Sequence, residues 1–85
     1  MSSILNTYAR KKISFKKGKG CYLYANDGKK YLDFVQGIAV NSLGHCHSHL
    51  IKIINKQSKK LWHVSNAFTI LEQEKLAQRL CKHTF

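Results

Sequence analysis

Residues 21–34, CYLYANDGKKYLDF, hold two β-prone runs on either side of a turn. Asn26-Asp27-Gly28 is the clearest turn in the chain, because Asp and Gly tolerate the positive φ angles that a tight hairpin demands. The flanking runs, residues 21–24 and 30–34, predict its two strands, and strict alternation puts Tyr31 and Phe34 on opposite faces. The stretch therefore predicts an antiparallel hairpin.

Upstream of this hairpin the pattern predicts one more strand. Residues 13–15 (ISF) are β-prone, and residues 16–20 (KKGKG) are typical of a glycine-bearing connector. Gly18-x-Gly20 is a fragment of a phosphate-loop pattern that lacks the third glycine and the strand-to-helix context, so we interpret it as a turn. The two parts together predict a small antiparallel β-meander.

Downstream, residues 36–47 (QGIAVNSLGHCH) show no clean period. Gly37, Gly44 and the polar pair Asn41-Ser42 interrupt the apolar residues, which favours an extended or looped path over a helix. Irregular backbone held on a scaffold is where binding residues tend to sit. The loop is therefore a candidate functional region.

Two amphipathic helices are predicted after this loop. Ser48 is expected to cap the first, in which one largely apolar stripe contains Leu50, Ile51, Ile54, Ser58 and Leu61. The second begins at residues 69–72 (TILE), a capping-box pattern, and its apolar face comprises Leu76, Ala77, Leu80 and Cys81. Lys82 and His83 suit the negative end of its dipole. The predicted fold class is α+β: a small antiparallel β-meander, a loop and two helices.

The charge of +11 over 85 residues raises the question of a polyanionic partner. Of the 15 basic residues only Arg10 and Arg79 are Arg, whereas base and phosphate recognition favours the bidentate Arg fork. We therefore expect no nucleic acid as partner and keep a basic module that binds RNA or anionic lipid as an alternative. No apolar run approaches the ~20 residues that span a bilayer, and residues 1–6 (MSSILN) lack the basic region and hydrophobic block of a signal peptide. Together these features predict a cytoplasmic protein.

Residues 45–49 (HCHSH) offer three imidazoles and a thiol that could bind zinc or copper. No second pair of zinc ligands is present, so we predict no metal site and expect His45 and His47 to hydrogen-bond the loop and cap the helix.

The sequence shows no Ser-His-Asp arrangement, and Asp33 and Glu74 are interpreted as solvated carboxylates. The three cysteines, with no CxxC pair, predict reduced thiols: Cys21, Cys46 and Cys81.

Residues 31–47, YLDFVQGIAVNSLGHCH, resemble the YLDFxxGIAVNSLGHCHP run of acetylornithine aminotransferases, which belong to the class III pyridoxal-phosphate-dependent aminotransferases. The resemblance extends upstream through residues 7–10 (TYAR) and the strand-turn phrase at residues 18–31, and downstream through residues 60–66 (KLWHVSN) and 72–80 (EQEKLAQRL). It therefore covers essentially the whole chain. Ornithine, succinylornithine and 4-aminobutyrate aminotransferases are the alternative relatives. The family usually shows Pro where this chain has Lys12, Ser48 and Leu71.

The resemblance implies the N-terminal segment, residues 1–85, of a homodimeric fold-type I enzyme that moves an amino group between N-acetylornithine and 2-oxoglutarate with pyridoxal 5′-phosphate (PLP). The Schiff-base lysine and the phosphate-binding phrase NSGxEA would lie on polypeptide after this segment. No residue of the chain is then catalytic or cofactor-binding. We expect the isolated chain to be inactive and molten or aggregating, unless it docks with a complementary fragment encoded downstream.

Two residues are expected, from the resemblance, to line the substrate pocket. Tyr8 matches an N-terminal tyrosine that approaches the substrate in ornithine-type relatives, and Ile38 falls where those relatives place a residue that shapes the pocket. The alternatives are a mobile terminus for Tyr8 and plain core packing for Ile38.

Overall fold

The computed structural model describes residues 2–84, in two compact units that divide between Ile53 and Ile54. The chain forms three strands and then three helical segments. These are β1 (Phe15–Lys19), β2 (Tyr22–Ala25), β3 (Lys30–Leu32), α1 (Gln36–Ala39), α2 (Ser48–Gln57) and α3 (Leu71–His83).

The three strands form one antiparallel sheet in the order β1-β2-β3, which confirms the predicted meander. The β2–β3 turn closes as expected: the Ala25 N–H donates to the Lys29 carbonyl at 2.9 Å, and the Gly28 N–H donates to the Ala25 carbonyl at 3.1 Å. Asp27 Oδ1 accepts the Lys29 N–H at 3.0 Å, and Gly28 has a φ of 86°. This hairpin is therefore the local feature that the sequence predicts best.

The predicted connector at residues 16–20 is wrong, because most of it is strand β1. Gly18 pairs with Leu23 and Lys19 with Tyr22, so pairing with β2 overrides the low strand propensity of glycine. The turn is confined to the junction after Lys19, where Gly20 has a φ of 58°. Strand β3 ends at Leu32, so the predicted alternation does not extend to Phe34.

The sheet buries little side-chain area. Ala25, at 2% exposure, is the one fully buried apolar residue within residues 2–84. The rings of Phe15 and Tyr31 meet edge to face, with 5.6 Å between centroids. Lysine ammonium groups cover two further rings: Lys17 Nζ lies 4.8 Å from the centroid of Tyr24, and Lys30 Nζ lies 3.9 Å from that of Tyr22.

The segment after β3 is irregular, as predicted. Its one helical turn, α1, has positive φ at all four residues: 54° at Gln36, 61° at Gly37, 62° at Ile38 and 64° at Ala39. A non-glycine residue with positive φ is uncommon, and a β-branched one such as Ile38 is an outlier. The turn is therefore left-handed rather than an ordinary right-handed helix.

Helices α2 and α3 confirm the two predicted helices, but both predicted caps are wrong by one residue. The Ile51 N–H donates to the His47 carbonyl at 3.0 Å, so Ser48 is the first helical residue of α2 and His47 holds the cap position. The cap residue of α3 is Ile70, with φ −117° and ψ 119° and no capping side-chain bond, so Thr69 lies one position too early for a capping box. Lys82 and His83 occupy the last turn of α3, as predicted.

Candidate functional site

The Asp33 carboxylate lies at the end of β3 and accepts hydrogen bonds from both ends of the following loop. Its Oδ1 accepts the N–H of Val35 at 3.0 Å and of Gln36 at 2.9 Å. Its Oδ2 lies 2.6 Å from Nε2 of His45. The Asp33 side chain is only 6% exposed and that of His45 16%, so water competes little for the bond between these two side chains.

Two glycines of the β1 region hold His45 against the sheet. Gly20 and His45 exchange backbone hydrogen bonds, at 3.1 Å from the Gly20 N–H and 2.8 Å from the His45 N–H. A Cβ on Gly18 would lie 2.6 Å from Cγ of His45, so the imidazole occupies space that any other residue at position 18 would fill. A Cβ on Gly44 would lie 3.2 Å from the Gly20 backbone. Gly18 and Gly20 therefore accommodate His45, and only Gly20 takes part in the predicted turn.

The Asp33 carboxyl is held in its ionised form. The Gln36 N–H, and after it the His45 imidazole, keep the pKa of Asp33 below its ordinary value of 3.8, and burial opposes them. Because the carboxylate is ionised at neutral pH, the hydrogen in the 2.6 Å contact belongs to His45 Nε2, which donates it. The result is a short, charge-assisted bond between β3 and the far end of the loop.

The interpretation of Asp33 as a solvated carboxylate is therefore wrong. Part of its role could have been read locally, since an Asp that precedes a turn commonly accepts N–H groups two and three residues on. Its pairing with His45 has no such local signal, because the two residues are twelve apart in the chain. The prediction that His45 hydrogen-bonds this region is confirmed.

His47 caps α2 through its backbone carbonyl alone, and its Nδ1 atom is buried with no partner within residues 2–84.

A cavity of about 200 Å³ opens beside the Asp33–His45 pair. Cys21, Asn41 and Ser42 contribute to its wall. A second cavity, of about 480 Å³, shares Asp33 and His45 with the first and is lined mainly by apolar groups. The pair thus lies between two concavities, both of which are lined more by apolar than by polar groups.

The structure locates both residues that the sequence nominates for the substrate pocket. Tyr8 lies in the N-terminal segment, 72% exposed, with the Arg10 guanidinium 5.4 Å from its ring centroid. Ile38 lies in the left-handed turn and is 87% exposed. Neither lines the two cavities beside the Asp33–His45 pair. The prediction that both form a pocket wall stays a prediction.

Ile38 combines backbone strain with solvent exposure. A non-glycine residue in this conformation costs on the order of 1–3 kcal/mol, and such strain persists where the surrounding structure imposes it, often at binding sites. Core packing, the alternative for Ile38, does not account for the turn within the described unit, because the side chain is 87% exposed there. The exposure and the backbone strain of Ile38 together favour a contact between its side chain and a molecule or polypeptide outside this unit.

The histidine cluster at residues 45–49 is not arranged around a common point. His45 is engaged with Asp33, and within residues 2–84 no three His, Cys, Asp or Glu side chains are grouped so as to hold a metal ion. Cys21, Cys46 and Cys81 are exposed and unpaired with one another. No helix in the described part of the chain is long and apolar enough to cross a membrane.

Comparison with known proteins identifies the family. The model of the family described as Aminotransferase class-III matches residues 5–85, nearly the whole chain. The chain belongs to the class-III aminotransferase family. The predicted family is therefore confirmed.

Similar class-III aminotransferases share about half of their residues with this chain over the matched region. The acetylornithine aminotransferase of Agrobacterium fabrum is 49% identical over 82 residues, covering 96% of this chain and 21% of that protein. The acetylornithine aminotransferase of Bacillus subtilis is 50% identical over 84 residues, covering 99% and 22%. That of Aquifex aeolicus is 51% identical over 83 residues, covering 98% and 22%.

Solved class-III structures share the fold of this segment. N-acetylornithine aminotransferase from Stenotrophomonas maltophilia superposes with a TM-score of 0.79 at 33% identity, over 92% of this chain and 21% of that one. Ornithine aminotransferase from Toxoplasma gondii, whose structure is described as showing partial occupancy of PLP at its active site, gives 0.76 at 31% identity, over 80% and 16%. The predicted relation to fold-type I aminotransferases is confirmed. The chain spans about a fifth of the length of these relatives.

Proposed function

We propose that this chain is the N-terminal segment of a PLP-dependent acetylornithine aminotransferase, which transfers an amino group from N-acetylornithine to 2-oxoglutarate. The observation that carries the proposal is the 49–51% identity to acetylornithine aminotransferases over 96–99% of the chain. In this role residues 1–85 supply packing surface and part of the substrate-pocket wall. Other polypeptide supplies the reactive groups.

The exposed apolar surface supports a role as part of a larger protein. Within residues 2–84, large apolar side chains at 22 positions are exposed, against one fully buried residue, Ala25. A unit with a core of its own would bury many of these side chains, and contiguous exposed apolar surface marks an interaction site. The proposal therefore includes packing of this segment on a large cofactor domain, within a homodimeric and cytoplasmic enzyme. Alternatively, a complementary polypeptide encoded downstream supplies the cofactor domain, and this chain docks on it.

The residues of this chain do not fit the Schiff-base site of PLP. All 13 lysines are exposed in the structure, and a solvated amine outside a desolvated pocket is a poor nucleophile. When bound, PLP supplies the electron sink of the reaction. We accordingly assign no chemical step to any residue of the chain.

Within the proposed enzyme, Ile38 and Tyr8 act as pocket wall. The left-handed turn presents the Ile38 side chain outward, at 87% exposure, where an apolar group can exclude water from a bound substrate. Tyr8 is 72% exposed and presents an aromatic face beside the Arg10 guanidinium. Their proposed partner is the amino donor, N-acetylornithine.

A chimeric enzyme tests this proposal. The 84 matched residues of the Bacillus subtilis acetylornithine aminotransferase are replaced by the corresponding residues of this chain. We expect the chimera to bind PLP and to retain kcat/KM for N-acetylornithine within about tenfold of the parent, because a tenfold change corresponds to only about 1.4 kcal/mol of transition-state binding. Steady-state kinetics with 2-oxoglutarate as acceptor provide the measurement.

The parent Bacillus enzyme is the positive control, and the same enzyme lacking its matched residues is the negative control. Mixing the negative control with the 85-residue chain tests assembly from two polypeptides. A chimera that is dimeric and loaded with PLP but does not turn over N-acetylornithine contradicts the proposal. Turnover of ornithine or 4-aminobutyrate in its place reassigns the substrate within the family.

One observation supports a second candidate function, a basic module that binds a polyanion. Within residues 2–84 the only ion pair joins Asp33 and His45, so no Lys or Arg is neutralised by a carboxylate. Fluorescence anisotropy with a labelled single-stranded RNA tests this function. A polyanion ligand requires that affinity fall steeply between 50 and 200 mM salt, because bound counterions are released. Absence of binding at 50 mM salt eliminates the candidate.

A further inference from the structure

The loop from Phe34 to Gly44 has little packing of its own to maintain its conformation. Several of its apolar side chains are largely exposed: Phe34 at 87%, Val35 at 71%, Ile38 at 87% and Val40 at 76%. The same loop contains the four consecutive residues with positive φ. Such a conformation requires attachment at the ends of the loop, because its middle gains nothing from burial within this unit.

Asp33 provides that attachment at both ends. Oδ1 accepts the N–H groups of Val35 and Gln36 where the loop begins. Oδ2 accepts the Nε2 hydrogen of His45 where the loop ends, at 2.6 Å. The Asp33 side chain, which is only 6% exposed, therefore links the two ends of the loop. Neither end can move independently of the other.

The fit of His45 to the sheet fixes where this closure takes place. The paired hydrogen bonds between Gly20 and His45 place the loop end beside β1. The imidazole then lies over Gly18, in space that exists only because position 18 has no Cβ. The position of the loop end on the sheet is thus set by these backbone bonds and by the bond between the imidazole and Asp33 together.

We propose that Asp33 and His45 are positioning residues that hold the left-handed turn, and with it Ile38, in the conformation that binds the amino donor. The effect on substrate rests on the proposed function, whereas the effect on the loop does not. If the binding-competent conformation falls to a tenth of the population, the apparent dissociation constant rises tenfold while the reacting groups remain intact. The expected signature is therefore a higher KM with little change in kcat.

Two variants of the chimera test the inference by different routes. Asp33→Asn keeps an oxygen that can accept from Val35 and Gln36 but removes the charge that binds His45. Gly18→Ala adds a Cβ that would lie 2.6 Å from the His45 ring, so it displaces the imidazole without altering a functional group. The control variant is His49→Asn, because His49 lies at an exposed position at the start of α2, outside the loop.

Two readouts distinguish this inference from the proposed function. Hydrogen exchange of the peptide covering residues 34–44 should be about tenfold faster in Asp33→Asn and Gly18→Ala than in the unsubstituted chimera, and unchanged in His49→Asn. The KM for N-acetylornithine should rise about tenfold in the same two variants, with kcat within about twofold. If the chimera is inactive, the proposed function fails and exchange alone decides the role of the pair.

Unchanged exchange in both variants overturns the inference. So does faster exchange accompanied by unchanged KM, because the pair would then be structural only. A fall in kcat together with loss of PLP also overturns it, since the pair would then support the whole active site. If Asp33→Asn does not fold, Gly18→Ala decides by the same criteria.

Discussion

Asp33 illustrates how one partly buried carboxylate can organise eleven following residues of irregular backbone. It is ionised, nearly inaccessible to water and bonded to the N–H groups of Val35 and Gln36 and to the His45 imidazole. Each of these contacts stabilises the ionised form, so the carboxylate and the loop conformation depend on each other. The stability of the loop must then respond to acid.

Acidification should remove the contribution of Asp33. Because the pKa of the carboxyl is lower in the folded than in the unfolded chain, its stabilisation is complete above the ordinary value of 3.8 and is lost as the pH falls through the lower folded pKa. We expect the difference in thermal midpoint between the chimera and its Asp33→Asn variant to shrink as the pH falls below about 4. Thermal melts at each pH measure it. A difference that grows as the pH falls below about 4 contradicts the assignment.

Substitution of Ile38 should separate stability from substrate binding. A left-handed conformation costs a non-glycine residue about 1–2 kcal/mol, and Gly avoids most of that cost. Because the side chain is exposed within the unit, Ile38→Gly should leave the free energy of unfolding of the chimera unchanged or raise it by about 1 kcal/mol, while raising KM for N-acetylornithine. Urea unfolding and kinetics measure the two effects. A loss of more than about 2 kcal/mol would instead identify Ile38 as a core residue of the assembled protein.

At this scale, the sequence predicts residues whose role is local and misses those whose role depends on a distant partner. Asp27 and Gly28 make their hydrogen bonds within the turn from Ala25 to Lys29, and the sequence predicts that turn correctly. The bond between Asp33 and His45 needs space for the imidazole over Gly18, which lies in β1. No periodicity or spacing rule connects those three positions.

Among the elements, α3 begins in a way that suits proline. Leu71 is its first helical residue, where the backbone N–H has no partner within a helix and a fixed φ helps. Ile70 before it has φ −117° and ψ 119°, the extended conformation that a residue preceding proline prefers. The usual family residue at position 71 is thus compatible with the geometry of this chain.

Leu71→Pro should therefore stabilise α3. We expect a gain of about 0.4–1 kcal/mol, chiefly because proline restricts the unfolded chain, while little packing is lost from a side chain that is 71% exposed. Leu76→Pro, inside the same helix, is the matched control and should cost about 3 kcal/mol or more. Urea unfolding of the chimera followed by far-ultraviolet circular dichroism measures both. Destabilisation by Leu71→Pro would show that the backbone of Ile70 differs in the assembled protein.

The existence of the elements was predictable, and their ends were not. The meander and both regular helices follow from alternation, turn chemistry and apolar spacing. Strand β1 extends through the predicted connector because β2 supplies hydrogen bonds that no local propensity reveals. The helix starts differ by one residue because His47 and Ile70 cap with backbone carbonyls, although Ser48 and Thr69 have the better capping side chains.

The described residues bury little apolar surface, which predicts that the chain alone does not fold cooperatively. One residue is fully buried within residues 2–84, and apolar exposure extends over both units. Trp62, for example, is 86% exposed although its Nε1 donates to the Ser58 carbonyl at 2.6 Å. Helices of this length are marginal in water without tertiary packing.

The isolated chain should therefore behave as a partly ordered polypeptide. We expect it to bind the dye ANS and to show no sharp heat-absorption peak in scanning calorimetry, whereas the chimera should unfold cooperatively. Adding the Bacillus enzyme that lacks its matched residues should reduce ANS binding as apolar surface becomes covered. A cooperative transition of the chain alone would show that the segment has a sufficient core of its own.

The close fit of Gly18 against His45 has a consequence for how this sequence can change over time. Any side chain at position 18 collides with the imidazole, so the two sites are epistatic and tolerate substitution only in a particular order. Loss of the imidazole first would leave position 18 free to vary, whereas a change at position 18 first would be selected against. A mutational library that varies both positions together should recover pairs that neither single-site library contains.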